Sequence, residues 1–299
     1  MAGQPSTGAY SPIDATRQTL HLGEHHVSES SLLCFIKNIY GAMLLAVGSL
    51  MSLVLSTGFP GAAADNPVLP HLLQGFTFPI GLILVYLTGA ELYTGYPMWQ
   101  TLTLLSHLTD PHHKRIPLLN YPRTLAISWA GNLLGALAVS YFLAHLTGTL
   151  AEEPHHSGLL EQLQSQTVDP PFYALFLRAL GCGWLVTTSM FLGTQQHDGV
   201  SKALALHLPF WVSTTVGWPH TVEVMFMGTA GMMEGAEMGV GTFLGRGLIP
   251  VTLGNFVGGA LTGLLLWWIF EVKGDDQKRD SGEEEGVNGF TGGEGRYRD

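Results

Sequence analysis

The sequence predicts an all-α polytopic membrane protein of six transmembrane helices, three spans followed by three inverted copies of them. Three observations predict this class. Charge is scarce and uneven: charged residues make up 12% of the 299, against roughly 25% in an ordinary soluble domain, and only 19 of the 36 lie within 32–272. Uncharged stretches near or above the roughly 20 residues needed to cross the hydrocarbon core recur along the chain. Motifs recur in the same order in its two halves. The composition also excludes other classes. There are 13 basic against 23 acidic residues and no basic stripe, so nucleic acid is not a partner. The two cysteines, Cys34 and Cys182, each sit in an apolar run, which excludes a disulfide-stapled secreted fold.

The spans are read at about 32–57, 71–105, 123–146, 172–194, 202–232 and 246–272. The second absorbs a lone charge, Glu91, because no polar loop flanks it. Lys114, Arg115, Arg123 and Lys202 mark the second and fourth connections, and Lys273, Lys278 and Arg279 follow the last span. The first and third connections hold no Lys or Arg. By the positive-inside rule both termini face the cytoplasm, and an even number of spans is required. Segment 1–31 is polar and lacks the apolar core of a cleavable signal peptide. Segment 273–299 is a charged, Gly- and Glu-rich tail. Both ends read as disordered cytoplasmic segments, flanking a transmembrane domain at 32–272. The expected location is the plasma membrane.

The repeat pairs the first span with the fourth, the second with the fifth and the third with the sixth. Phe35-Ile36-Lys37 matches Phe176-Leu177-Arg178. Arg123 precedes Gly131-Asn132-Leu133-Leu134-Gly135 by eight residues, and Arg246 precedes Gly254-Asn255-Phe256-Val257-Gly258 by eight. These GxxxG spacings let helix backbones approach closely. Pro79, Gly89 and Glu91 in the second span match Pro209, Gly217 and His220 in the fifth. Three spans is an odd number, so the second copy is inverted. In such folds the transported species binds where helices break near the midplane. Gly89, Gly95 and Pro97 weaken the second span, and Gly217 and Pro219 the fifth. An ionisable residue at that depth marks a functional site, which singles out His220. Glu91 reads as a structural group holding loop amides.

The residues FPIGLILVYLTGAELYTG resemble the second-helix signature of the formate/nitrite transporter family, and GWPHTVEVMFM resembles its fifth-helix pore segment. LRALGCGWLV and LIPVTLGNFVGG are similar to its fourth- and sixth-helix stretches. The resemblance covers about 32–272 and implies an aquaporin-like homopentamer with one pore per protomer, carrying small monovalent anions such as formate or nitrite, or their acids. It implies that His220 is the central pore histidine, faced by Thr94, and that Phe78, Leu82 and Leu92 form apolar constrictions. It further implies that Lys37 and Arg178 attract anions into the two vestibules. The chain departs from the pattern in four places. Gly183 stands for an expected Asn, and Glu223-Val224 for Ala-Asn. Ser213 falls near a usual aromatic constriction, and Thr229 replaces a Pro.

Physics favours passage as the neutral acid with a proton, since a bare anion in an apolar constriction meets a penalty reaching tens of kcal/mol. A proton from His220, whose unperturbed pKa is near neutrality, or from water serves this step. A neutral-solute channel of aquaporin type and a transport-inactive paralogue are the alternatives. The pairs His25-His26, His112-His113 and His155-His156 lie in polar connections without metal-ligand spacing. The expectation is therefore a transporter in a lipid bilayer, with no enzymatic activity, no metal and no cofactor.

Overall fold

A computed structural model describes residues 8–109 and 116–272, so the charged tail and the Lys114-Arg115 and His112-His113 pairs lie outside the described residues. The regular elements of the described chain are all helices, apart from one isolated bridge between Ala9 and Gln196. The longer helices are α1 (Pro12–Ser28), α2 (Ser31–Thr57), α3 (Val68–Thr88), α4 (Tyr96–Thr109) and α5 (Asn120–His145). They continue as α6 (His155–Leu163), α7 (Phe172–Gln195), α8 (Gly199–Thr215), α9 (Thr221–Met233) and α10 (Val240–Val272).

Five of these, α2, α3, α5, α7 and α10, are long and apolar enough to cross a membrane. The stretches 71–105 and 202–232, each read from the sequence as one span weakened by its glycines and prolines, are both interrupted. The first divides into α3 and α4, and the second into α8 and α9, which are 17 and 13 residues long. Large apolar side chains such as Leu134, Phe142, Leu261 and Trp268 stay exposed on the outer faces, as lipid solvation permits.

The Gly motifs set the packing. A Cβ at Gly131 would come within 2.9 Å of the Phe35 carbonyl, and one at Gly135 within 2.9 Å of Ala42 Cβ, so α5 lies backbone-close on α2. In the second half a Cβ at Gly254 would meet Ala179 Cβ at 2.7 Å and one at Gly258 the Trp184 nitrogen at 2.6 Å, so α10 lies equally close on α7.

The N-terminal segment departs from the disorder expected of it. Residues 12–28 form α1, started by Ser11 Oγ accepting from the Asp14 N–H at 3.1 Å. Its buried residues Ala15, Thr16, Thr19, Leu20, Gly23 and Val27 recur every three or four positions. That stripe of small and apolar groups packs on α4 and α7. The chain before it is tied down by the Tyr10 N–H donating to the Gln195 carbonyl at 2.7 Å and by Tyr10 packing edge-on against His197.

Candidate functional site

Two helix ends and two helix starts meet in the interior. α3 stops at Thr88, where Gly89 takes φ +71°; α8 is followed by Gly217 at φ +73°. A Cβ would strain both turns, which explains glycine at each. After Gly89 the chain runs through Leu92 in extended conformation, makes one 3₁₀ turn over Tyr93–Gly95 and restarts as α4. After Gly217 it runs to His220, also extended, and restarts as α9.

Each restart is held by a buried asparagine from the repeated motif. Asn132 Oδ1 accepts from the Tyr93 N–H at 2.7 Å, while its Nδ2 donates to the Asn38 carbonyl at 2.7 Å. Asn255 Oδ1 accepts from the Thr221 N–H at 2.8 Å, while its Nδ2 donates to the Ala179 carbonyl at 2.7 Å. Asn38 follows Lys37 and Ala179 follows Arg178, so the two brackets use matching positions of the two halves. These asparagines were visible in the sequence only as part of the repeat, without a task.

His220 is fully buried and hydrogen-bonds Thr94 Oγ1 through Nε2 at 2.9 Å. Its Nδ1 accepts from the Val222 N–H at 3.3 Å. A ring nitrogen that accepts carries no proton, so the bonding pattern assigns the proton to Nε2, which donates to Thr94. Two aromatic rings flank the imidazole, Phe210 at 5.5 Å and Phe78 at 6.2 Å between centroids, and they lie 4.8 Å from each other. Phe210 is absent from the sequence-derived site. It stands one turn before Ser213 on the same face of α8. Phe78, Leu82, Leu92 and Thr94 are all buried, and Leu82 and Leu92 line a cavity on the side of the centre covered by α1.

Three of the departures have local reasons. Glu223 is the third residue of α9, and its carboxylate accepts from the His220 backbone N–H at 3.3 Å. With His220 as the N-cap this is a capping box, so the carboxylate steadies the segment that carries the imidazole. Gly183 faces Asn255, whose Cα a Cβ would approach to 2.6 Å. An asparagine there would push α10 away and pull the Asn255 bracket off its partners. Thr229 Oγ1 pairs with Ser140 Oγ at 2.7 Å. Val224 is buried, and nothing in the structure explains the choice of valine.

Glu91 and Lys37 belong to one cluster. Glu91 is buried, and its carboxylate meets His26 Nδ1 at 2.8 Å, Lys37 Nζ at 2.9 Å and the Tyr96 hydroxyl. The Glu91 N–H also donates to the Lys37 carbonyl at 3.3 Å, so Glu91 ties together α1, α2 and α4 through side chains, rather than holding the loop amides expected of it. Lys37 reaches Glu29 as well. It is therefore a paired cation with two carboxylates, whereas Arg178 is exposed and has no ion pair among the described residues. Glu29, Cys34 and Glu91 bring potential metal-ligand atoms within 4.8 Å of one another. The Lys37 ammonium already supplies positive charge to both carboxylates. The His155-His156 pair holds structural bonds instead: His155 to Thr57 Oγ1 at 2.8 Å and His156 to the Glu234 carbonyl at 2.9 Å.

Long apolar helices around a buried polar centre, itself built where helices end, define an integral membrane protein of the transporter and channel class. A family model described as formate/nitrite transporter matches residues 14–269. A probable formate transporter of Methanothermobacter thermautotrophicus is 32% identical over 256 residues, which span 81% of this chain and 88% of that one. The transporter YrhG of Bacillus subtilis is 31% identical over 244 residues, 80% and 85% of the two chains. Among solved structures, an FNT family ion channel has a similar fold with a TM-score of 0.73 at 22% identity, covering 86% of this chain and 98% of its own. A pentameric formate channel with formate bound gives 0.67 at 24% identity, covering 80% and 96%. The chain belongs to the formate/nitrite transporter family.

Proposed function

We propose that the protein carries small monovalent anions of the formate or nitrite class across the membrane together with a proton, through a pore whose waist is the His220–Thr94 pair. The observation that carries this reading is that pair: one imidazole N–H and one hydroxyl, buried between the restarts of two helices and flanked by apolar side chains. Matched breaks, matched asparagine brackets and matched glycine contacts support six spans in an inverted 3+3 repeat, with α3/α4 and α8/α9 as its two broken helices. The pentameric relative supports a homopentamer with one pore per protomer. Both termini are assigned to the cytoplasm and the protein to the plasma membrane.

The chemistry follows from the surroundings of His220. Phe78 and Phe210 on one side, and Leu82 and Leu92 on the other, offer no hydrogen bonds to replace the hydration of a charged ion. Protonating an acid whose pKa lies about three units below ambient costs only about 4 kcal/mol. The Nδ1 lone pair of His220 is taken by the Val222 N–H, and losing the Nε2 proton would leave an imidazolate. In this arrangement the ring is a fixed donor and not a proton store. The proton therefore comes from water in a vestibule and crosses with the anion, while the His220–Thr94 pair gives the neutral acid its one polar foothold.

Uptake of labelled formate, nitrite, acetate and lactate into liposomes across a pH step tests this. Flux is expected to rise about tenfold per unit drop in source pH while the neutral acid limits it. Flux independent of pH removes the proton from the mechanism. Transport of uncharged solutes in place of the anions returns the neutral-solute reading.

A further inference from the structure

The α1-side mouth is a cavity of about 340 Å³ that runs from Tyr10, Gln18 and Leu22 at its rim to Leu82 and Leu92 at its floor. Three of its lining side chains bear or can bear charge: His26, Glu91 and Lys202. Glu91 is occupied by His26, Lys37 and Tyr96. Lys37 does not line the cavity, and its ammonium is held between Glu29 and Glu91. Lys202 has no ion pair among the described residues. Its Nζ sits 5.8 Å from the centroid of the Tyr86 ring, a cation–π distance. That ring is itself fixed. Thr194 Oγ1 donates to the Met190 carbonyl at 3.0 Å, so the Tyr86 hydroxyl donates to Thr194 Oγ1 at 2.8 Å. Tyr86 and Thr194 both line the cavity.

We propose that Lys202, positioned by Tyr86, is the residue that gathers the anion at this mouth, and that Lys37 is the structural counter-ion of Glu29 and Glu91. This assignment rests on the anion-transport reading. An ammonium with three donors and, among the described residues, no carboxylate of its own is what a small carboxylate or nitrite meets on its way to the Leu82–Leu92 floor. The ligand class is a small monovalent oxyanion, held while still hydrated, since the cavity far exceeds the volume of one formate.

Exchange of labelled formate in liposomes, with saturation curves for the wild type, Lys202→Gln, Lys202→Arg and Lys37→Gln, tests the assignment. Lys202→Gln is expected to raise the half-saturation concentration about fivefold, the effect of one screened charge at contact distance, with maximal flux unchanged. Lys202→Arg is expected to behave as the wild type. In about 1 M inert salt, where the screening length is about 3 Å, the difference between wild type and Lys202→Gln is expected to vanish. Lys37→Gln is expected to lower the melting temperature and the maximal flux, because it leaves two buried carboxylates without their cation. An unchanged half-saturation in Lys202→Gln, or the same shift in Lys37→Gln with maximal flux intact, overturns the proposal while leaving anion transport standing. Wild-type liposomes that exchange neither formate nor nitrite overturn both.

Discussion

His220 and Glu223 act as a unit because one carries the donor and the other holds its backbone. His220→Ala removes the N–H at the waist and is expected to abolish most formate flux in liposomes. His220→Gln, which keeps an N–H donor but has no group that titrates near neutrality, is expected to retain a measurable part of it with the same pH dependence. A flat pH profile in that variant would restore a proton-storing role to the histidine. Glu223 separates charge from capping. Glutamine also serves at the third position of a capping box, so Glu223→Gln is expected to transport and melt like the wild type. Glu223→Ala is expected to lose about 1 kcal/mol of stability, read from denaturant midpoints, together with flux. The sequence made Glu223 look anomalous because capping boxes are recognised from Ser or Thr at the N-cap, and here that place is taken by a histidine. His220, Thr94, Phe78, Leu82 and Leu92 could be named from motif positions. Phe210 could not, because no motif position marks it and only packing brings its ring against the imidazole.

At the scale of elements, the asparagine brackets decide whether α4 and α9 begin where they do. Asn255→Leu leaves the Thr221 N–H and the Ala179 carbonyl buried without this partner. Each unsatisfied group costs about 1–3 kcal/mol, and Asn132→Leu should cost a similar amount in the other half. Both variants are expected to lower the melting temperature in detergent and to reduce flux beyond the loss of folded protein. Asp198 begins α8, the helix that carries Lys202. The Ser201 and Val200 N–H groups hold its carboxyl below the usual carboxylate range. A depressed folded-state pKa stabilises the protein above the ordinary carboxyl pKa, and that contribution is lost as pH falls through the folded value. The melting advantage of the wild type over Asp198→Ala is therefore expected at neutral pH and to disappear below about pH 4. Helix α1 was legible in principle: its small residues recur at helical spacing, but low hydropathy made the segment read as solvent-facing.

At the scale of the molecule, charge scarcity and uncharged stretch length located the membrane part, since both are summed over many residues and survive local error. Glycines and prolines in the second and fifth stretches already pointed to interruptions there, but where the backbone leaves and re-enters the helix depends on partners far away in sequence, such as Asn132 and Asn255, which local pattern does not show. The two restart points also carry a thermal consequence. Both restart points are bracketed by buried amides with complete hydrogen bonding, and His220 is fastened from its backbone and both ring nitrogens. Backbone held in this way at the proposed waist is expected to stay in place during passage. Flux measured from about 5 to 35 °C should climb with a slope close to that of diffusion in water, well below the tens of kcal/mol that accompany large-scale opening. A steep Arrhenius plot would mean that these fastenings break and reform on every turnover.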